Sequence, residues 1–491
     1  MTRINNHSTF NAFCTSLAAC RLMLAVLFLT MLGGCVPPEQ EFIAPLADFG
    51  RDANHTARIS CFLTLKDDQG PAIRMEIANL EVFDGDNWLP VSSGPIQLDS
   101  LVLGTSQLFL GGRAVPPGRY HRLRLTITTG EVQKADGKYG VMVQTPFAME
   151  INFVADLALE KEDSGSLLIT WDVKNSLRAD NTLQPALMVA PPLRQMLLDL
   201  LFVACPDIDT IFVVRADKNW VVDSFGLKGR PTYLALDPDT SGQRLYVLAS
   251  GDRMIKVIDL ASYRVIDFFP VPLNDVATFM TISPDGQGAF LLDERNGYLS
   301  RIDLTSGRSI ARVQLGYGPT YAIYLNDQNL LAVSLSLSQK VLLLDPMSLA
   351  EVGTIFTGSM PEGLAVSDNQ LYIAEYGDNA VSVTDLTNTG NQSRVEVGFG
   401  PRRLLDTGNQ IYVSNYKDDS LSVLVPGQFG VSQEIFGLGR PQEMAFDQFY
   451  RRLYVTDEDA AALDVINVNA NMVLGHISLG AKPVGLAIIQ Q

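Results

Sequence analysis

The sequence predicts an all-β chain in which a β-sandwich precedes a seven-bladed β-propeller. Helical periodicity is scarce, whereas short runs of Val, Ile, Leu and Tyr recur throughout, punctuated by Gly, Pro, Asn and Asp. A four-strand unit repeats from Pro231 onward, and the segment near residue 200 and the C-terminal tail are complementary fractions of that same unit.

Each repeat opens on a Gly-x-Pro or similar turn and a first apolar strand. A second strand such as Arg244-Leu245-Tyr246-Val247 follows, then a polar loop, a third strand ending in Asp, and a fourth. Pro231, Pro319, Pro361, Pro401, Pro441 and Pro483 mark the openings, at intervals of 88, 42, 40, 40 and 42 residues. The first interval holds two repeats, its inner marker falling at Ala277, so six complete units run from 231 to about 480. Four-stranded units of this length build propeller blades. Leu200–Val203, Thr210–Arg215 and Trp220–Phe225 match the second, third and fourth strands of a unit and lack a first; Pro483–Ile489 is a first strand without the others. Joining them makes a seventh blade and leaves no open sheet edge at the ring's ends.

The domain organisation follows. Residues 1–34 read as a signal peptide, with Arg3 and Arg21, no acid, and the eleven-residue apolar run Leu22–Leu32, too short to span a bilayer comfortably. Leu32-Gly33-Gly34-Cys35 matches a bacterial lipobox, which makes Cys35 the lipidation site, the first mature residue and the link to a membrane. Val36 stands where an Asp would resemble an inner-membrane retention signal, so the expected location is the cell envelope, on the outer membrane of a Gram-negative cell. Residues 35–54 form a proline-containing tether, 55–192 the β-sandwich, and 193–491 the propeller. In the sandwich, Ala57–Leu65, Ile73–Phe83, Tyr120–Thr128 and Ser166–Val173 have strand length.

The blades Tyr372-Ile373-Ala374-Glu375-Tyr376-Gly377-Asp378-Asn379, Ile411-Tyr412-Val413-Ser414-Asn415-Tyr416 and Leu453-Tyr454-Val455-Thr456-Asp457 resemble the YVTN family of β-propeller repeats. The earlier blades depart from it, since Ala289-Phe290-Leu291-Leu292 and Leu330-Leu331-Ala332-Val333 lack the Tyr. The resemblance covers residues 200–491 and implies a microbial-envelope binding or scaffold role more than a chemistry. Val115–Leu125, Trp171–Leu177 and Leu183-Gln184-Pro185 are similar to uncharacterised domains of bacterial lipoproteins, a loose likeness that adds an envelope context and no activity.

Charge and motifs narrow the function. The formal charge is −17, and loss of Arg3 and Arg21 with the signal would leave −19, which argues against nucleic acid or an anionic lipid surface as partner. No zinc-protease, α/β-hydrolase, NTPase or haem-attachment motif occurs, no cofactor is expected, and His55, His121 and His476 are too scattered to assign to one centre. Asp259, Asp303, Asp345 and Asp385 end third strands, where they would cap turns; Asp237–Gly242 starts like a calcium loop but has Leu248 where the bidentate Glu belongs. Cys61 and Cys205 could pair in an oxidising compartment or be buried separately as free thiols.

Loops joining a fourth strand to the next blade's first strand surround one mouth of a propeller channel. Arg230, Arg440 and Lys482 directly precede a repeat proline and Arg402 follows Pro401, so together they could bind a carboxylate, phosphate or acidic sugar. The bland alternative is solvated loop charge paired with Glu443, Asp457, Glu458 and Asp459. The expected function is non-catalytic binding of a protein or small anionic ligand. A lactonase-like propeller hydrolase, which would gather His476 and the arginines near the channel, is the competing reading.

Overall fold

The computed structural model describes residues 56–66, 70–134, 136–143, 146–180, 182–192, 199–238, 244–272 and 277–489. The signal peptide, Cys35, the tether, His55 and most of Asp237–Gly242 lie outside these residues. No helix among the described residues is long and apolar enough to cross a membrane.

Residues 199–489 form a seven-bladed propeller of four-stranded antiparallel sheets. Blade 1 joins both ends of the domain: Leu200–Cys205, Thr210–Arg215 and Trp220–Gly226 supply its second to fourth strands, and Gly485–Ile488 the first. The junction runs antiparallel from Leu201 opposite Ile488 to Ala204 opposite Gly485. Blades 2 to 7 open at Pro231, Phe279, Pro319, Pro361, Pro401 and Pro441. Second strands are buried on both faces, as in Leu371–Glu375 and Ile411–Asn415, because each is packed between two neighbouring blades. Fourth strands alternate poorly and expose Ile266, Phe268, Phe356 and Phe436 at the rim.

Two recurring irregularities shape the blades. In six of them the register slips between the third and fourth strands, as at Val257/Ile258 and Val465/Ile466. In blades 2, 4, 5, 6 and 7 it slips just after the opening proline, as at Pro231/Tyr233 and Pro401/Arg403. A bulge leaves an extra residue unpaired and re-aims its side chain. Second-strand hydroxyls satisfy the freed amides: Arg403 N donates to Ser414 Oγ at 3.0 Å and Glu443 N to Thr456 Oγ1 at 3.0 Å.

The turns behave as their residues dictate. Asp303 Oδ1 accepts from the amides of Thr305 and Ser306, both at 2.8 Å, and Asp345 Oδ1 from Met347 and Ser348 at 3.1 and 2.7 Å. Asp259 accepts from Ser262 and Asp385 from Thr387 in the same way, and these bonds hold all four carboxyls below their ordinary range.

Residues 57–190 form two sub-sheets around one core. In one, Ala57–Leu65 lies between Gln107–Val115, antiparallel, and Ser164–Asp172, parallel, with Ala186–Ala190 beyond. The other centres on the long strands Ile73–Phe83, Gly118–Gln133 and Phe147–Leu159. A single parallel bridge, Val189 to Phe153, joins them, so the path of strands is continuous at one edge where a sandwich would have two separate sheets. Fully buried Trp171 anchors the core, its indole N–H donating to Ser176 Oγ at 2.9 Å.

Cys61 and Cys205 are free, buried thiols in different apolar clusters, so the disulfide considered from sequence is not formed. Burial pushes both thiols well above the usual range.

Candidate functional site at the channel mouth

The two positions after each repeat's opening residue, which is Ala277 in blade 3 and a proline elsewhere, stand around one end of the channel, displaced by a bulge in blades 2, 4, 5, 6 and 7. The first position gives Thr232, Thr278, Thr320, Glu362, Arg402, Gln442 and Val484, and all seven line one cavity of about 310 Å³. The second gives Tyr233, Phe279, Tyr321, Gly363, Arg403, Glu443 and Gly485. Ser250 and Glu294, from loops between second and third strands, also line the cavity, which opens on the face that carries the blade junctions.

The cavity has two unlike halves. On blades 2 to 4 the hydroxyls of Thr232 and Thr278 donate to the carbonyls of Leu248 and Leu292, each at 3.3 Å. Beside them Tyr233, Phe279 and Tyr321 pack at tilted angles of 57° and 48°, with ring centroids 4.5 and 4.4 Å apart. Burial raises both phenols, so they stay protonated.

The opposite half is charged. Arg403 Nε donates to Glu443 Oε1 at 2.6 Å, its Nη1 to Glu362 Oε2 at 3.2 Å, and its guanidinium lies 4.7 Å from the Tyr321 ring centre. Burial opposes its charge but Glu443, Tyr321 and Glu362 more than compensate, so the cation is held firmly. There is space for this clamp because Gly363 lies against the backbone: a Cβ there would stand 2.6 Å from the Arg402 carbonyl oxygen. Arg402 is less engaged. Its Nε sits 3.5 Å from Glu362 Oε2 but is buried without a hydrogen bond, and its guanidinium is 4.8 Å from the Tyr416 ring centre. Partial burial and the nearby Glu362 push the Glu294 carboxyl up against the opposing pull of Arg402 and Arg403.

Of the four basic residues singled out from sequence, only Arg402 lines this cavity. Arg230 pairs with Asp207 at 3.2 Å. Arg440 pairs with Asp459 and lies 3.7 Å from Glu458, which Lys482 meets at 3.2 Å and the Tyr416 hydroxyl at 2.9 Å. Residues before the repeat proline therefore meet acids of the loops between second and third strands, while those after it line the channel. Arg403, Glu362, Glu443, Gln442 and Glu294 were not expected as cavity lining, Glu443 having been named only as a partner for loop charge. The signal for the first four was present: aligning the two positions after each proline writes out the channel lining, with charge confined to the units opening at 361, 401 and 441.

His476 lies in the outer strand Met472–Ser478 of blade 7, where Nδ1 is hydrogen-bonded to Asp464 Oδ1. It does not line the cavity. Among the described residues no group of three His, Cys, Asp or Glu is placed to hold a metal ion.

No family model matches the chain, and no curated protein matches it. Among solved structures it is similar to a functionally unknown protein from Desulfotomaculum acetoxidans, at 16% identity and a TM-score of 0.52, over 60% of this chain and 99% of that one. Weaker likenesses are to the dihydro-heme d1 dehydrogenase NirN, at 14% identity, TM-score 0.48, 59% of this chain and 75% of that one, and to Kuenenia stuttgartiensis hydrazine synthase, at 14%, 0.47, 53% and 95%. At 16% identity the first of these likenesses shows the fold, a β-propeller, and nothing of the activity.

Proposed function

We propose that this protein is a lipid-anchored binding protein of the cell envelope, outer-membrane in a Gram-negative cell, whose propeller holds a small polar ligand at the channel mouth. The lipobox ending in Cys35 supports the anchor, and the resemblance of the later blades to YVTN repeats supports a binding role. The observation that carries the reading is the cavity itself. It is lined by all seven blades and concentrates polar side chains from six of them around Arg402, whose buried Nε has no hydrogen-bond partner. The N-terminal domain serves as spacer between tether and propeller.

The lactonase-like reading loses support because His476 is engaged with Asp464 in an outer strand and the cavity lining contains no histidine. Cell fractionation tests the anchor: Cys35→Ser should move the protein out of the membrane fraction. A thermal-shift screen of small polar metabolites on the detergent-solubilised protein tests the site. Hits should lose at least about tenfold in affinity in Arg402→Ala, as expected for a charge-assisted bond; hits that bind this variant unchanged would refute the channel mouth as the site.

A further inference from the structure

We infer that the channel mouth selects a compact ligand bearing a protonated amine together with an oxygen acceptor, such as an amino sugar or amino alcohol. This rests on the binding role proposed above and specifies its ligand.

Charge decides the class. Two arginines, Arg402 and Arg403, share the cavity with three carboxylates, Glu294, Glu362 and Glu443. Arg403 bridges Glu443 at 2.6 Å and Glu362 at 3.2 Å, and Arg402 lies 3.5 Å from Glu362, so two guanidiniums are shared among three carboxylates and Glu294 is left without an ion pair. An anion entering here would gain Arg402 but meet two carboxylates, whereas an ammonium group would relieve their mutual repulsion.

Hydrogen-bond accounting agrees. Glu362 gives Oε2 to Arg403, and neither its Oε1 nor the Glu294 carboxyl has a protein donor among the described residues. The hydroxyls of Thr232 and Thr278 spend their protons on backbone carbonyls, so what they offer a ligand is lone pairs. The cavity is therefore rich in acceptors, which an ammonium group with three donors satisfies. Its main unspent donor is the Arg402 guanidinium, whose Nε forms no hydrogen bond although it lies 3.5 Å from Glu362 Oε2, and which rests against Tyr416; that donor calls for an oxygen on the same ligand. At about 310 Å³ the cavity is at the small end of ligand pockets.

Two matched probe sets separate the possibilities: glucosamine, glucose and glucuronate, and ethanolamine, ethylene glycol and glycolate, titrated calorimetrically into the full-length protein in detergent at neutral pH. The amine of at least one set should bind at least about tenfold more tightly than its neutral and acidic counterparts. Glu294→Gln, which breaks no hydrogen bond with the protein and relieves the repulsion from Glu362, should erase most of that preference without lowering the melting temperature. Arg402→Gln should weaken amine and neutral probes alike. Tighter binding of glucuronate or glycolate, or a preference that survives Glu294→Gln, would overturn the amine assignment and leave the binding role standing. If no probe binds and no metabolite shifts the melting temperature, both fall.

Discussion

At the scale of single residues, the telling features are charges buried where only a specific partner tolerates them. Asp464 is one such group: its side chain has 0% exposure, Oδ1 is hydrogen-bonded to His476 Nδ1, and Oδ2 has no partner. Burial raises its carboxyl to about 6, with Asp457 adding to the rise and His476 opposing it. A carboxyl whose folded value exceeds the unfolded one binds its proton more tightly in the native state. Its contribution is favourable in acid and is lost as pH rises from about 4 through about 6. Asp464→Asn mimics the protonated form, so it should match the wild type near pH 4 and become the more stable of the two by about 1–3 kcal/mol at pH 7. Urea midpoints across that range check this; a variant destabilised at pH 7 would mean that the ion pair with His476 outweighs the cost of desolvation. The turn carboxylates have the opposite sign. Asp259, Asp303, Asp345 and Asp385 are held low by turn amides and hydroxyls, so their stabilisation is present at neutral pH and fades as acid protonates them.

Among elements, the closing strand Gly485–Ile488 shows how position constrains sequence. Gly485 pairs with Ala204, and a Cβ on it would stand 2.8 Å from the Thr232 carbonyl oxygen in the next blade. Gly485→Val should therefore cost about 1–3 kcal/mol by forcing blades 1 and 2 apart, read as a lower urea midpoint; an unchanged midpoint would mean the junction can shift to admit the side chain. Most of the propeller was legible because its repeat is written in apolar runs and prolines: Leu200–Val203 and Thr210–Arg215 fall where the alignment puts them. The N-terminal strands Ala57–Leu65 and Ile73–Phe83 match to the residue because each is a strand-length run rich in apolar residues. Phe147–Leu159 was missed, since its core-facing residues Met149, Ile151 and Phe153 are only partly buried and the exposed Val154 interrupts the alternation. The channel lining escaped because a bulge breaks the two-residue period at the point where function resides. Thr232 and Tyr233 are neighbours in sequence, and strand alternation would send them to opposite faces, yet both line the cavity.

For the whole molecule, the N-terminal domain is built into the propeller. Ala57–Leu65 is largely buried on both faces; Cys61 and Leu63 enter the domain's own core, while Phe62 turns with Phe109 into a cluster containing Leu201, Phe212, Tyr454 and Leu479 of blades 1 and 7. Phe62 lies 5.4 Å from Phe109 and 6.1 Å from Phe212, and a Cβ on Gly480 would collide with the Phe109 ring. Polar groups complete the seam. The Ser166 and Ser224 hydroxyls meet at 2.9 Å, those of Ser164 and Thr210 at 2.8 Å, and the Gln107 side-chain amide pairs with both backbone groups of Val221 at 3.0 and 2.7 Å. A seam of packed aromatic rings and paired polar groups should couple the two domains into one cooperative unit, so that a pull through the N-terminal domain is borne by blades 1 and 7. Calorimetry of the wild type should accordingly show one unfolding transition. Phe109→Ala empties the centre of the seam at a cost of about 3–5 kcal/mol and should split that transition in two, with the propeller melting last because blade-to-blade packing is untouched. Two transitions already present in the wild type, or a single one persisting in Phe109→Ala, would show that the seam does not govern cooperativity.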